Sequence, residues 1–142
     1  MSRSEEWIVR ELKPGDHIRF KYKSFYHHGL YEGDGMVIHF AGPSMEQLVE
    51  PELVTVHRDT LDDFGAGRNI EVRKYTLAEK LKKYPVSKTL KLARARLGEK
   101  GYDIIYNNCE HFAYECVTGK HYSEQVDGVR EMFKGLFRKK ND

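Results

Sequence analysis

The stretch H-H-G-L-Y-E-G-D-G-M-V-I-H-F-A, His27–Ala41, decides the fold. Its centre, Gly33-Asp34-Gly35, is a hairpin signal, because these residue types accept the positive φ that tight turns between strands require. The flanking residues predict one strand from Tyr26 to Glu32 and another from Met36 to Ala41, stopped by Gly42-Pro43. Alternation gives each strand two faces. His27, Gly29 and Tyr31 share one face of the first strand, and His28, Leu30 and Glu32 the other. Val37, His39 and Ala41 share a face of the second, opposite to Met36, Ile38 and Phe40. A turn symmetric about Asp34 sets Glu32 against Met36, Leu30 against Ile38 and Gly29 against His39. His27 and His39 then lie on the same face, as diagonal neighbours within reach of an imidazole–imidazole contact.

Upstream, Pro14-Gly15-Asp16 is a turn signal. After it Ile18, Phe20 and Tyr22 alternate with Arg19, Lys21 and Lys23, which predicts a half-buried strand and completes an antiparallel meander. Downstream, Leu53 to His57 suits a short strand, Arg58 to Gly67 a loop or short helical turn, and Asn69 to Tyr75 another strand. The chain then changes character. Thr76-x-x-Glu79 is a capping box, followed by Leu77, Leu81 and Tyr84 at helical spacing and ended by Pro85. Ser87 is placed to cap the next helix, with Leu90, Ala93 and Leu97 on one side and Gly98 past its end. Tyr102 to Tyr106 is a short β-prone run. Asn107 and Asn108 precede a helix from about Cys109 to Val117, which Gly119 can stop. Val126 to Lys140 has apolar residues near helical spacing and the cations Lys134, Arg138, Lys139 and Lys140 at its end. Strands first and helices after predict one α+β domain, with an antiparallel sheet that carries two histidines packed against helices.

Composition narrows the function classes. The 142 residues amount to one domain, and 39% apolar with 32% charged residues excludes a disordered chain. A net charge of +2 gives no field that recruits nucleic acid. No apolar run reaches the roughly 18 residues of a spanning helix. The charged start, with Arg3, Glu5 and Glu6, is unlike a secretory leader. Two cysteines cannot build a disulfide framework, and they suit a reducing, cytoplasmic setting.

Cys109 stands in the first turn of its predicted helix. Unpaired N–H groups and the positive end of the helix dipole favour a thiolate there, and the same N–H groups can hold the oxyanion of an acyl intermediate. Cys116 is the ordinary case of a buried small thiol. Seven residues on along a helix, it lies ~10 Å away, too far for a disulfide. A nucleophilic thiol needs a histidine base, and the base needs an orienter. Of seven histidines, His27 and His39 are the pair that one sheet face brings together. His17, His57 and His121 read as surface or satisfied core residues. His111 falls about 200° around the helix from the thiol and reads as structural. Zinc held by His27, His39 and Cys109 is the competing chemistry, but no Cys-x-x-Cys or His-Glu-x-x-His spacing supports it, so neither metal nor cofactor is expected.

Four blocks occur in order: L-K-P-G-D-H-I (Leu12–Ile18), H-H-G-L-Y-E-G-D-G (His27–Gly35), V-I-H-F-A (Val37–Ala41) and N-N-C-E-H-F-A (Asn107–Ala113). Together they resemble the lecithin:retinol acyltransferase-like, or NC, domain of the NlpC-type papain-like thiol hydrolases and acyltransferases. The resemblance runs from Leu12 to Val126. It divides the chain into an N-terminal extension over residues 1–11, the domain over 12–126, and a basic amphipathic tail over 127–142. It implies a circularly permuted papain-like fold, with His27 as base, His39 as second histidine and Cys109 as nucleophile. His28 holds a position often aromatic in relatives, so no role passes to it.

The resemblance also implies the chemistry. Relatives take a fatty acyl group from phosphatidylcholine onto the cysteine, as A1/A2-type phospholipases and acyltransferases. The acyl group passes to water, an amine or a lysolipid. The expected partner is a phospholipid or another acyl ester or amide, with peripheral membrane contact through the tail, either by an amphipathic face on anionic lipid or not at all if the tail packs on the domain. The rival readings are a papain-like peptidase or amidase on a peptide, and a non-catalytic interaction module of the same fold.

Overall fold

The computed structural model describes residues 6–42, 51–65, 67–103 and 108–120. Strands β1 (Glu6–Ile8), β2 (His17–Tyr22), β3 (Phe25–Gly33), β4 (Met36–Ala41), β5 (Thr55–Thr60) and β6 (Glu71–Lys74) alternate late in the chain with helices α1 (Leu61–Gly65), α2 (Leu77–Lys82), α3 (Val86–Ala95) and α4 (Cys109–Thr118). The strands form one sheet in the order β1-β6-β2-β3-β4-β5, antiparallel at every pair. This is a mixed α+β architecture. Expectations for Pro43–Glu50, Ile104–Asn107, His121 and the tail, with the boundary at 126, lie outside the described residues.

Side-chain alternation splits the core in two. On one face of the sheet Leu30, Ile38, Phe40, Val54 and Val56 pack against Leu90 and Ala93 of α3 and against Cys109, Phe112, Cys116 and Val117 of α4. On the other, Ile18, Phe20, Val37 and Val72 pack around Phe64 of α1. Each fully buried aliphatic side chain contributes about 1.5–3 kcal/mol, so the two clusters pin the strand register. Gly29 is required by the second cluster. A Cβ there would lie 2.7 Å from the Phe64 ring and 2.8 Å from Val37 Cγ1.

The hairpin forms as its sequence predicts, with Leu30 opposite Ile38. The expected pairing of Glu32 with Met36 is displaced by a bulge: Tyr31 faces Val37, and Gly33 faces Met36. Three successive positive φ angles, 111°, 53° and 74° at Gly33, Asp34 and Gly35, close the turn. The freed Glu32 carboxylate takes hydrogen bonds from Arg58 of β5 at 2.6 and 2.9 Å and from Arg94 of α3 at 2.7 Å.

Other elements differ from expectation in specific ways. β1 falls within the segment read as an extension and pairs with β6. β5 starts two residues later than expected and runs through Asp59 to Thr60. The Thr76/Glu79 capping box forms, but α2 buries no side chain, and Leu77 and Leu81 are 77% and 82% exposed. Among the described residues nothing packs over this six-residue helix to bury them. Ser87 is not the cap of α3, because that helix starts at Val86 with Pro85 before it and no side-chain cap. α4 ends at Thr118, one residue past expectation, with Gly119 at φ 79°.

Candidate active site

The start of α4 is held by reciprocal bonds. The Asn108 side chain accepts from the Glu110 and His111 N–H groups at 3.0 and 3.1 Å, and His111 Nδ1 accepts from the Asn108 N–H at 3.0 Å. His111 is therefore structural, as its angle on the helix indicates. Cys109 is the first helical residue, and its thiol is buried. Burial pushes the thiol up to about 12, against N–H groups of His28, Glu110 and Cys109 that favour the thiolate. The nearby Glu110 carboxylate works in the same direction as burial. The expectation of a resting thiolate at the helix start is thus not met: desolvation outweighs the dipole and the N–H groups. The sulfur rests as a neutral thiol, ringed by donors suited to an oxyanion.

His27 and His39 come together as their shared face predicts. Nε2 of His27 lies 2.8 Å from Nδ1 of His39. Phe20 and Phe64 wall the pair, with ring centroids 5.5 and 5.3 Å from His27. Burial, then the neighbouring imidazoles His39, His28 and His57, pushes His27 well below the usual histidine range.

The sequence did not assign the next partner. Asp59 Oδ2 lies 2.7 Å from His39 Nε2 and 2.9 Å from His57 Nε2. The hydrogen bond from His39 is the largest cause holding Asp59 below the usual carboxylate range, so it is ionised. An ionised carboxylate only accepts, and this fixes the protons along the line. His39 donates Nε2–H to Asp59, so its Nδ1 is the acceptor. His27 donates Nε2–H to that Nδ1, so its own Nδ1 carries the lone pair. That atom is buried and has no hydrogen-bond partner. The signal for Asp59 was present in T-V-H-R-D-T, where Thr55, His57 and Asp59 alternate on one face.

His57, read as a surface or satisfied core residue, is half-buried and meets the Asp59 carboxylate. His17, read in the same way, pairs with His28 at 2.8 Å. No carboxylate joins that pair. His28 is held well below the usual range by burial and by Arg19 and Arg73, so this pair stays neutral and packs edge-on against Trp7. Two buried imidazole pairs thus sit side by side, and only one is polarised.

The thiol and the polarised pair belong to opposite faces of the sheet. Pairing of β3 with β4 runs from Leu30↔Ile38 to the turn, and neither His28 nor Gly29 has a partner on β4. At this parting the His28 N–H serves the sulfur, one residue from His27. No hydrogen bond joins the sulfur to either imidazole in the resting arrangement. Among the described residues, a cavity of 140 Å³ beside Tyr114 and Thr118 lies towards the other end of α4.

Comparison with known proteins gives the family. The sequence model of the lecithin retinol acyltransferase family matches residues 10–122, a range that contains His27, His39, Asp59 and Cys109. Human phospholipase A and acyltransferase 4 is 33% identical over 130 residues, covering 85% of this chain and 79% of that protein. Human phospholipase A and acyltransferase 3 is 32% identical, covering 85% and 80%. Rat lecithin retinol acyltransferase is 27% identical over 149 residues, and the match spans 92% of this chain but only 64% of that longer protein. With its family model matched over most of its length and relatives above 30% identity, the chain belongs to the lecithin retinol acyltransferase family.

Proposed function

We propose that this protein is a cysteine-dependent acyltransferase and phospholipase of the A1/A2 type. It takes an acyl group from a phospholipid onto Cys109 and passes it to water, an amine or a lysolipid. The observation that carries this reading is the buried, unpartnered Nδ1 of His27, whose lone pair is fixed through His39 by Asp59. A base needs that state before it can take a proton.

Sulfur and imidazole both start neutral, so nucleophile activation and attack are coupled. As substrate seats, the thiol closes on His27 through the parting of β3 and β4. Active-site hydrogen bonds that are long at rest tighten in this way. The S–H proton passes to His27 Nδ1 while the sulfur attacks the ester carbonyl carbon. The oxygen gains the displaced electron pair, in reach of the N–H groups of Cys109, Glu110 and His28. Collapse breaks the bond to the lysophospholipid oxygen, which takes the proton back from His27. The acceptor then gives its proton to His27 Nδ1, attacks the thioester and frees the thiol. His39 and Asp59 are positioning residues that stabilise the imidazolium formed in each half.

The chain order His27, His39, Cys109 supports reading the fold as a circularly permuted papain-like plan of the NlpC type. Among the described residues no helix is long and apolar enough to cross a membrane. The basic, apolar-patterned sequence 127–142 is the proposed peripheral contact with lipid. Mass spectrometry after incubation with phosphatidylcholine tests the function. Acyl mass on Cys109 is expected, absent in Cys109→Ser and in His27→Ala. Turnover of peptides or isopeptides with no acyl adduct from lipid overturns it.

A further inference from the structure

We propose that His39, Asp59 and His57 form a binding site for a divalent transition-metal cation of the zinc class, and that the bound cation switches the thiol chemistry off. The second half of this proposal rests on His27 acting as the base.

Three ligand atoms converge. His39 Nε2, His57 Nε2 and Asp59 Oδ2 all lie within 4.8 Å of one another. Both imidazoles aim at the same carboxylate oxygen, at 2.7 and 2.9 Å. Tetrahedral zinc, with bonds of about 2.0–2.1 Å, sets its ligand atoms about 3.3 Å apart, so the two imidazole–carboxylate distances have to open by roughly half an ångström while the two nitrogens stay within the 4.8 Å of the cluster. The cluster can do so. His39 and His57 face each other across the β4–β5 pair, with Asp59 two residues further along β5, and β5 is an edge strand. The His57 and Asp59 side chains are about one-third exposed, at 30% and 34%. Solvent thus has access for a fourth ligand, a water. Two imidazoles and one carboxylate are an ordinary set for zinc or a neighbouring divalent ion.

Two independent features point to a cation. First, both nitrogens of His57 face acceptors. Nδ1 lies 3.0 Å from the Thr55 carbonyl oxygen, and Nε2 faces the Asp59 carboxylate. A ring that donates Nδ1–H to Thr55 keeps its Nε2 lone pair for a cation beside the carboxylate, which is the tautomer a ligating histidine takes. Second, the outer partners of a metal site are in place. Ligating histidines donate their other N–H to a carbonyl or another acceptor. Thr55 plays that part for His57, and His27 Nε2 is placed to play it for His39.

The proton count then gives the effect. A metal on His39 Nε2 needs that lone pair, so the His39 proton must sit on Nδ1. His39 now donates to His27 Nε2, which must carry the lone pair, and the His27 proton moves to Nδ1. Each ring keeps one proton and stays neutral, exchanging with solvent. The Nδ1 lone pair that the proposed reaction needs is gone, so the base is blocked without the metal touching the sulfur.

The test uses the full chain, freed of metal by chelation and titrated with zinc chloride in a calorimeter. Cys109→Ser, His57→Gln and Asp59→Asn are measured beside it. Cys109→Ser should bind zinc as the unaltered chain does, and the other two should bind it at least about ten-fold more weakly. X-ray absorption of the zinc-loaded chain needs no variant, and two imidazoles with oxygen are expected. Equal affinity in His57→Gln and the unaltered chain, loss of binding in Cys109→Ser, or sulfur in the absorption spectrum each overturn the site. Acylation of Cys109 from phosphatidylcholine, read by mass spectrometry, tests the switch: zinc should slow it. Unchanged acylation at saturating zinc overturns the switch and leaves the acyl-transfer reading standing. If Cys109 takes no acyl group even without metal, the acyl-transfer reading fails and the switch with it, while calorimetry still decides the site.

Discussion

Asp59→Asn is the sharpest single test of the proton line. An asparagine is the same size, but it is uncharged and can turn either its oxygen or its NH₂ to His39. The charge-assisted bond it removes spans 2.7 Å, and a bond of that kind is worth about 1.5–3 kcal/mol when dry. The Asp59 side chain is 34% exposed, so solvent screens part of this, leaving about 1–2 kcal/mol. Converted at the rate of tenfold per 1.4 kcal/mol, that is a roughly 5- to 30-fold fall in kcat. KM should hold, because Asp59 lies behind two imidazoles and touches no substrate. The assay is turnover of phosphatidylcholine in mixed micelles, with acyl mass on Cys109 as a second readout. Asp59→Glu, which restores the charge, should recover part of the rate. Thermal unfolding should be nearly unchanged, since the residue sits on an edge strand. An Asp59→Asn protein that keeps full kcat, while His39→Ala loses it, would refute the idea that the carboxylate sets the lone pair on His27.

Four further outcomes follow from the packing and the charges. Gly29→Ala drives a methyl into Phe64 and Val37 and should cost about 1–3 kcal/mol of stability, read by chemical denaturation. Asn108→Ala removes the cap of α4 and should cost about 0.5–2 kcal/mol, visible in the same experiment. Leu77→Lys with Leu81→Lys should leave the melting temperature within error, because both side chains are already in solvent. Buried His17, His27, His28 and His39 are all held below the usual range, so the unfolded chain takes up protons first as pH falls. Stability is therefore complete above about pH 6.5 and should drop by about 1.4 kcal/mol per pH unit for each of these groups below it, until its folded value is reached. Urea midpoints measured down the acid range check the slope, and a flat profile would contradict it.

The parts of the fold legible in the sequence were those written locally. The hairpin, the Met36–Ala41 strand and both sides of the Thr76/Glu79 box depend on neighbours in the chain. The His27–His39 contact was legible for the same reason, since one short turn sets its register. What escaped depends on distant partners. β1 is a strand only because β6, some sixty residues on, offers it an edge. The apolar spacing of Leu77 and Leu81 matches a buried face, yet among the described residues nothing packs over α2. Asp59 was lost because the strand was expected to stop at His57, and its meaning comes from lying near His39 across β4. The resting state of the thiol was hidden too. A helix start argues for the anion, whereas the depth of burial that reverses it appears only once the sheet is assembled.

β5 ends the order of described strands: β4 is its one strand neighbour among them, and its outer side meets Gly98 and Glu99 only at Val56. Such a strand tolerates exchange of side chains that a central strand would not, because fewer contacts are lost and no second described strand must readjust. The far end of the proton line is therefore anchored where selection can edit it with little risk to the scaffold. Swapping the acid, its histidine neighbour or their spacing would retune how firmly the inner rings hold their protons. Reactivity in this lineage can then drift by small steps at the rim, while the inner histidine and the sulfur stay fixed.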